Sequence, residues 1–151
     1  MLLQLSTGEP FATGAAAYAY VPASEQEETP RITLDVLIGN LRTSAFVDTG
    51  GVYLICSPQI AAALNLDPVD GLRVPNLIFR GAQLPGVLHR IPLTILASQG
   101  ETITLEATAF VPGSINEWSD FPCILGIYLC LDRLRFAVDP INEVFYFGEP
   151  G

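Results

Sequence analysis

The chain has 151 residues, half of them hydrophobic and only 15% charged, with a formal net charge of −9 and a pI near 4.3. That length suits one domain with a real core, and so few charges imply that a partner chain covers part of the apolar surface. All seven basic residues are arginine, so a basic footprint for a phosphate backbone or an anionic membrane is missing, and neither nucleic acid nor membrane is an expected partner.

Residues 1–30 read as an N-terminal strand and linker, with 1–14 loosely held and Tyr18 and Tyr20 at period two in an edge or dimer-contact strand over Ala15–Val21. Pro22–Pro30 carries Glu25, Glu27 and Glu28 without an apolar anchor, which is the pattern of a solvated linker. Residues 31–148 form the main domain. Arg31–Ile38 alternates, with Ile32, Leu34, Val36 and Ile38 on one face; Gly39-Asn40 is a hairpin turn, and Arg42–Val47 returns antiparallel. Ser57 is an N-cap and Pro58 a first helical residue for a short helix over Pro58–Leu64.

Leu77–Phe79 and Val87–Leu96 are apolar runs joined by Arg80–Gly86, a glycine-bearing hairpin tip. Thr102–Phe110 alternates strongly, and Pro112–Ser119 is a loop whose Trp118 is expected to pack rather than to recognise a ligand. Ile127–Leu131 is helix-compatible. Leu134–Val138 and Glu143–Phe147 flank a turn at Asp139–Asn142. Many short strands with one or two short helices make an all-β barrel in one domain.

Cys56, Cys123 and Cys130 cannot all pair within the chain; they read as reduced core thiols of a cytoplasmic protein. With one histidine and no Cys-x-x-Cys pair, no metal site and no cofactor are expected. Met1–Leu5 is too short for the apolar part of a secretory signal, and no apolar run is long enough to span a bilayer. Lone His89 lies beside Arg90 in a strand-like run, and no Gly-x-Ser-x-Gly is present, so serine or cysteine hydrolase chemistry is not expected.

The chemistry concentrates in Ser44–Ser57. There one acid, Asp48, enters a sharp turn of Thr49, Gly50 and Gly51 between two apolar runs. An acid so placed costs free energy unless it is hydrogen-bonded or has work to do. Phe46-Val47-Asp48-Thr49-Gly50 resembles the active-site loop of the aspartic proteases, and the order of the chain resembles their single-domain retropepsin-like branch over Arg31 to Gly148. The second shared anchor is Ile124-Leu125-Gly126, hydrophobic-hydrophobic-Gly, and the 131–140 stretch with the following Phe-Tyr-Phe-Gly looks like bacterial members.

The resemblance implies a closed, six-stranded-type acid protease barrel. It makes Asp48 the catalytic residue, with Thr49, Gly50, Ile124, Leu125 and Gly126 supporting it. Ile124 and Leu125 would pack under the Asp48 turn, with Gly126 permitting close approach. Gly51 and a flap around Gly81, Ala82, Gln83 and Gly86 would bind a peptide or protein substrate. Retroviral members pair an arginine with an acid where this chain has Ile127 and Val52; both are missing together, so no orphan charge is left.

Peptide hydrolysis by this route needs two carboxylates sharing one proton, an arrangement for which the aspartic proteases are themselves the standard example. The chain has one Asp-Thr-Gly and no Asp-Ser-Gly; Asp35 is mid-strand, Asp132 follows a helix-compatible run and Asp139 precedes proline. The second acid must then come from another copy, giving a homodimeric aspartic endopeptidase braced across its two-fold axis by Thr49 and knitted by the terminal strands. The alternative is a catalytically inactive retropepsin-like module for dimerisation or peptide binding.

Overall fold

The computed structural model describes residues 2–23, 25, 31–67, 70–79, 81–113, 118 and 122–151. The strands are β1 (Leu3–Gln4), β2 (Pro10–Ala12), β3 (Gly14–Ala17), β4 (Ala19–Val21), β5 (Arg31–Ile38), β6 (Leu41–Val47) and β7 (Leu54–Ile55). After helix α1 (Pro58–Ala63) come β8 (Leu72–Phe79), β9 (Ala82–Ile95), β10 (Gln99–Gly100), β11 (Ile103–Pro112) and β12 (Cys123–Leu125). A 3-10 turn at Leu131–Arg133 precedes β13 (Arg135–Asp139) and β14 (Val144–Gly148). Most of the acidic 22–30 stretch and of the 112–119 loop, and Arg80 of the expected hairpin tip, lie outside the described residues.

The larger sheet runs β4-β5-β6-β12-β7-β11-β9-β8, and a further β5–β9 pairing returns the ladder to its start. β5, β6, β12, β7, β11 and β9 therefore form a ring, the six-stranded barrel expected. A barrel this narrow is filled by its own side chains, with small residues beside large ones. Leu34, Val36, Ile38, Leu93, Ile95 and Leu125 fill it together with Ala45, Ala107 and Ala109, all essentially inaccessible. Those from β5 and β11 fall on the faces that period-two alternation picks out.

Ser57 accepts a hydrogen bond from the Ile60 N–H at 3.4 Å, with Pro58 at the first helical positions, so α1 starts as its cap dictates. Asn65 ends it in the left-handed region at φ +57°, a conformation asparagine tolerates. The Ile127–Leu131 helix does not form. Tyr128 is instead bridged to Val52 and Leu129 takes φ +56°, which leaves only the 3-10 turn at Leu131–Arg133.

The chain termini make a second sheet, β10-β3-β14-β13, closing one end of the barrel with Phe145 and Phe147 wholly buried. Of the stretch 1–14 expected to be loosely held, the described residues 2–14 are tied down: β1 pairs with β2, and Ala12 is completely buried. The single strand expected over Ala15–Val21 divides at Tyr18, β3 joining β14 and β4 joining β5. β14 has β13 on one edge and β3 on the other, and β3 lies between β14 and β10, so those edges are used within the chain, whereas β4 pairs with β5 and ends the larger sheet.

Candidate active site

Asp48 follows directly on β6. Its N–H donates to the Leu125 carbonyl at 2.9 Å, continuing the parallel β6–β12 ladder one step past the strand. The Gly50 N–H donates to Asp48 Oδ1 at 3.0 Å, and the Gly51 N–H to the Asp48 carbonyl at 3.1 Å. The carboxylate thus builds its own turn. The Asp48 side chain is 30% exposed, and Thr49 and Gly50 are exposed beside it. A Cβ placed on Gly51 would find its three nearest neighbours in Asp48 itself, at 3.4–3.5 Å, an ordinary contact.

The second anchor locks this loop from behind. The Gly126 N–H donates to the Tyr53 carbonyl at 2.8 Å and the Ile127 N–H to the Gly51 carbonyl at 2.9 Å. A Cβ on Gly126 would fall 2.7 Å from the Val52 carbonyl carbon, a contact that real side chains do not make. Glycine is needed here for close backbone approach. Leu125 points into the barrel, whereas Ile124 joins a second small core with Ile55, Leu77, Leu84, Phe110 and Trp118. Tyr53 holds φ +60°, an uncommon conformation for an aromatic residue, fixed by its N–H to the Tyr128 carbonyl at 2.9 Å. The Tyr53 and Tyr128 rings lie 5.9 Å apart, in the turns where retroviral members carry their ion pair.

One residue at the site was not anticipated. Arg31 Nη1 lies 3.8 Å from Asp48 Oδ2, with the arginine side chain 24% exposed. Its signal was in the hairpin: continuing the Ile38↔Leu41 to Ile32↔Val47 register by one step sets Arg31 opposite Asp48. The other acids are committed elsewhere. Asp35 accepts from Arg42 at 3.0 Å and Ser44 at 3.1 Å, and these bonds hold its carboxyl below the usual range. Asp139 caps its own turn through the Ile141 and Asn142 N–H groups, and Asp132 belongs to the 3-10 turn.

The expected flap is the β8–β9 hairpin, but its tip is shorter than the sequence implied. Phe79 pairs with Ala82, and Gly81 before it takes φ +79°. Ala82 and Gln83 are exposed at the start of β9; Gly86 is buried further along it, pressed against Phe110 and Val111. Leu77 and Leu84 tie the hairpin to Ile55 and Ile124, and Phe79 stacks on Trp118 at 4.8 Å, so the tryptophan packs as expected.

The three cysteines are free and buried, as read from the sequence. Among the described residues no three His, Cys, Asp or Glu side chains cluster in a way that would hold a metal, and no helix is long and apolar enough to cross a membrane. A cavity of about 560 Å³ opens at the far end, between Phe11, Glu101, Arg135 and Glu149. It holds none of the loop residues.

No protein-family model and no curated protein matches the chain. Among solved structures it is similar to the crystal structure of a retropepsin-like aspartic protease from Rickettsia conorii, with a TM-score of 0.52 and 14% identity over 88% of this chain and 90% of that one. At that identity the likeness speaks for architecture. The chain has the fold of a retropepsin-like aspartic protease.

Proposed function

We propose that the chain is a homodimeric aspartic endopeptidase in which each subunit contributes one Asp48. The observation that carries the reading is the Asp48 loop itself: a partly exposed carboxylate with one oxygen held by the Gly50 N–H, on a loop whose backbone is braced by Leu125 and Ile127. Two such loops facing across a two-fold axis place two carboxylates together, and one of them then keeps a proton. The ionised member takes a proton from water, and the water oxygen attacks the scissile carbonyl. The protonated member gives its proton to the carbonyl oxygen as that carbon becomes tetrahedral. The peptide C–N bond then breaks with protonation of the leaving amine, and no acyl-enzyme forms.

Gly51 and the exposed start of β9, Ala82 and Gln83, would line the substrate path between loop and flap. Val52 and Tyr128, 39% and 51% exposed beside the loop, supply apolar surface for the subunit contact. A second reading, a non-catalytic dimerisation or peptide-binding module, is favoured by the Arg31 guanidinium at Asp48 Oδ2.

A peptide-library digest over about pH 4 to 7, with wild type and Asp48→Asn run beside sedimentation analysis, separates the two readings. The proposal expects acid-favoured cleavage by a dimer. It expects a loss of about 10³-fold or more in Asp48→Asn, with the dimer intact. Cleavage retained by Asp48→Asn, or a wild type that stays monomeric, would overturn it.

A further inference from the structure

We propose that Cys56 and Cys123 are a reactive dithiol, and that their oxidation to a disulfide pins the strand leaving the Asp48 loop to the strand that feeds Gly126. The register carries this. β12 and β7 pair antiparallel with Leu125↔Leu54 and Ile124↔Ile55, so the next step sets Cys123 opposite Cys56. Residues directly opposed in an antiparallel ladder have Cα atoms about 4.5–5.5 Å apart, inside the disulfide range of about 4.4–6.8 Å. Both thiols are completely or almost completely buried. The Ser57 N–H donates to Cys123 Sγ at 3.3 Å, and that sulfur lies 3.7 Å from Ser57 Oγ.

This environment divides the labour between the sulfurs. The neighbouring Cys56 thiol, helped by Ser57, holds the Cys123 thiol below its ordinary range, and the neighbouring Cys123 with burial pushes Cys56 up. With the Ser57 N–H on its sulfur to favour the thiolate, Cys123 is the nucleophile and Cys56 the resolving thiol. With hydrogen peroxide as oxidant, the Cys123 thiolate attacks one peroxide oxygen and the O–O bond breaks, leaving a sulfenic acid and hydroxide. The Cys56 sulfur then attacks the Cys123 sulfur, and the sulfenic oxygen leaves as water with the Cys56 proton. Two thiols are oxidised, and one peroxide is reduced to two water equivalents. Because both sulfurs are buried, a small oxidant and a local opening are required.

The link would sit at the root of the site. Asp48 bonds through its N–H to Leu125, two residues from Cys123, and Gly126 bonds to Tyr53, three residues from Cys56. Hydrogen exchange at the Asp48 and Gly126 amides should therefore slow by about tenfold or more on oxidation and recover with dithiothreitol.

The test treats the folded full-length wild type with dilute peroxide, blocks remaining thiols and maps the peptides by mass spectrometry. The expected product is a Cys56–Cys123 linked peptide two hydrogens lighter than the reduced pair, with Cys130 still free. Burial pushes the Cys130 thiol up to about 12, so it is the internal control. Cys130→Ser should still form the link. Overoxidation of Cys123 without a link, a link through Cys130, or both thiols unreacted under conditions that oxidise the urea-unfolded chain would overturn the proposal. These outcomes need no peptidase activity, so the inference stands or falls apart from the proteolytic reading.

Discussion

The two ends of this barrel are finished to different degrees. At the terminal end β14 has a neighbour on each edge, β3 is flanked by β14 and β10, and Phe145 and Phe147 are completely buried. At the other end the Asp48 side chain is 30% exposed on a loop where an added Cβ at Gly50 or Gly51 would come no closer than 3.4 Å to its nearest neighbour, Asp48 itself. A strand with both edges paired cannot template another chain, whereas the partly exposed Asp48 and the exposed side chains of Val52 and Tyr128 leave surface that another chain could cover. β3 and β14 are already spent on holding one chain together.

The largest effects should fall at the finished end. Phe147→Ala removes a fully buried ring from between the barrel and its closing sheet and should cost about 3–5 kcal/mol in urea unfolding. The self-association constant of the folded fraction should not change; a shift would return the terminal sheet to the interface and break the comparison. Glycines sharpen it next. Gly126→Ala drives a Cβ into the Val52 backbone and should cost about 2–3 kcal/mol or more. Gly51→Ala, whose Cβ would meet only Asp48 at ordinary contact distance, should change stability by less than about 1 kcal/mol. Equal costs for the two would mean that the loop is not open on its outer face.

The parts of the fold legible in the sequence were those where one local rule acts alone. Alternation set the faces of β5 and β11, turn chemistry joined β5 to β6 and β13 to β14, and Ser57-Pro58 started α1. The parts that escaped are set by partners distant in sequence. β8 begins at Leu72 and carries Pro75 because β9 pairs with it around an irregularity between Val74 and Leu77, where a residue without an N–H fits. Pro85 and Gly86 read as a tip, yet they extend β9, because the glycine lets the strand pass close over Phe110 and Val111. Ile127–Leu131 has helical composition but is captured by the Val52–Tyr128 bridge. At the site, Asp48 and Gly126 were legible through motif order; Arg31 required extending the hairpin register to its last pair.

That last pair supplies a smaller test of the unfinished end. If two Asp48 loops meet, the Arg31 guanidinium 3.8 Å from Oδ2 offsets repulsion between the carboxylates. Arg31→Gln should then weaken the dimer by about 0.5–1 kcal/mol, read by sedimentation equilibrium. In an Asp48→Asn background, where no such repulsion exists, the same substitution should do almost nothing. An identical loss in both backgrounds would make Arg31 a packing residue with no electrostatic part in the pairing.

The smallest effect provides the control on the same hairpin. Asp35 and Arg42 are also an acid–arginine pair at 3.0 Å, but their side chains are 57% and 69% exposed. Arg42→Gln should therefore cost less than about 0.5 kcal/mol and leave self-association untouched. Its pH dependence has a defined sign. The hydrogen bonds from Arg42 and Ser44 hold the folded Asp35 carboxyl below its unfolded value, so their contribution is present above the ordinary carboxylate range and disappears as pH falls through the folded value. The stability difference between wild type and Arg42→Gln, followed by urea unfolding, should shrink on acidification and fade in added salt. A difference that persists below the carboxylate range would come from lost packing of the arginine stem, and the pair would then be no electrostatic control for Arg31 and Asp48.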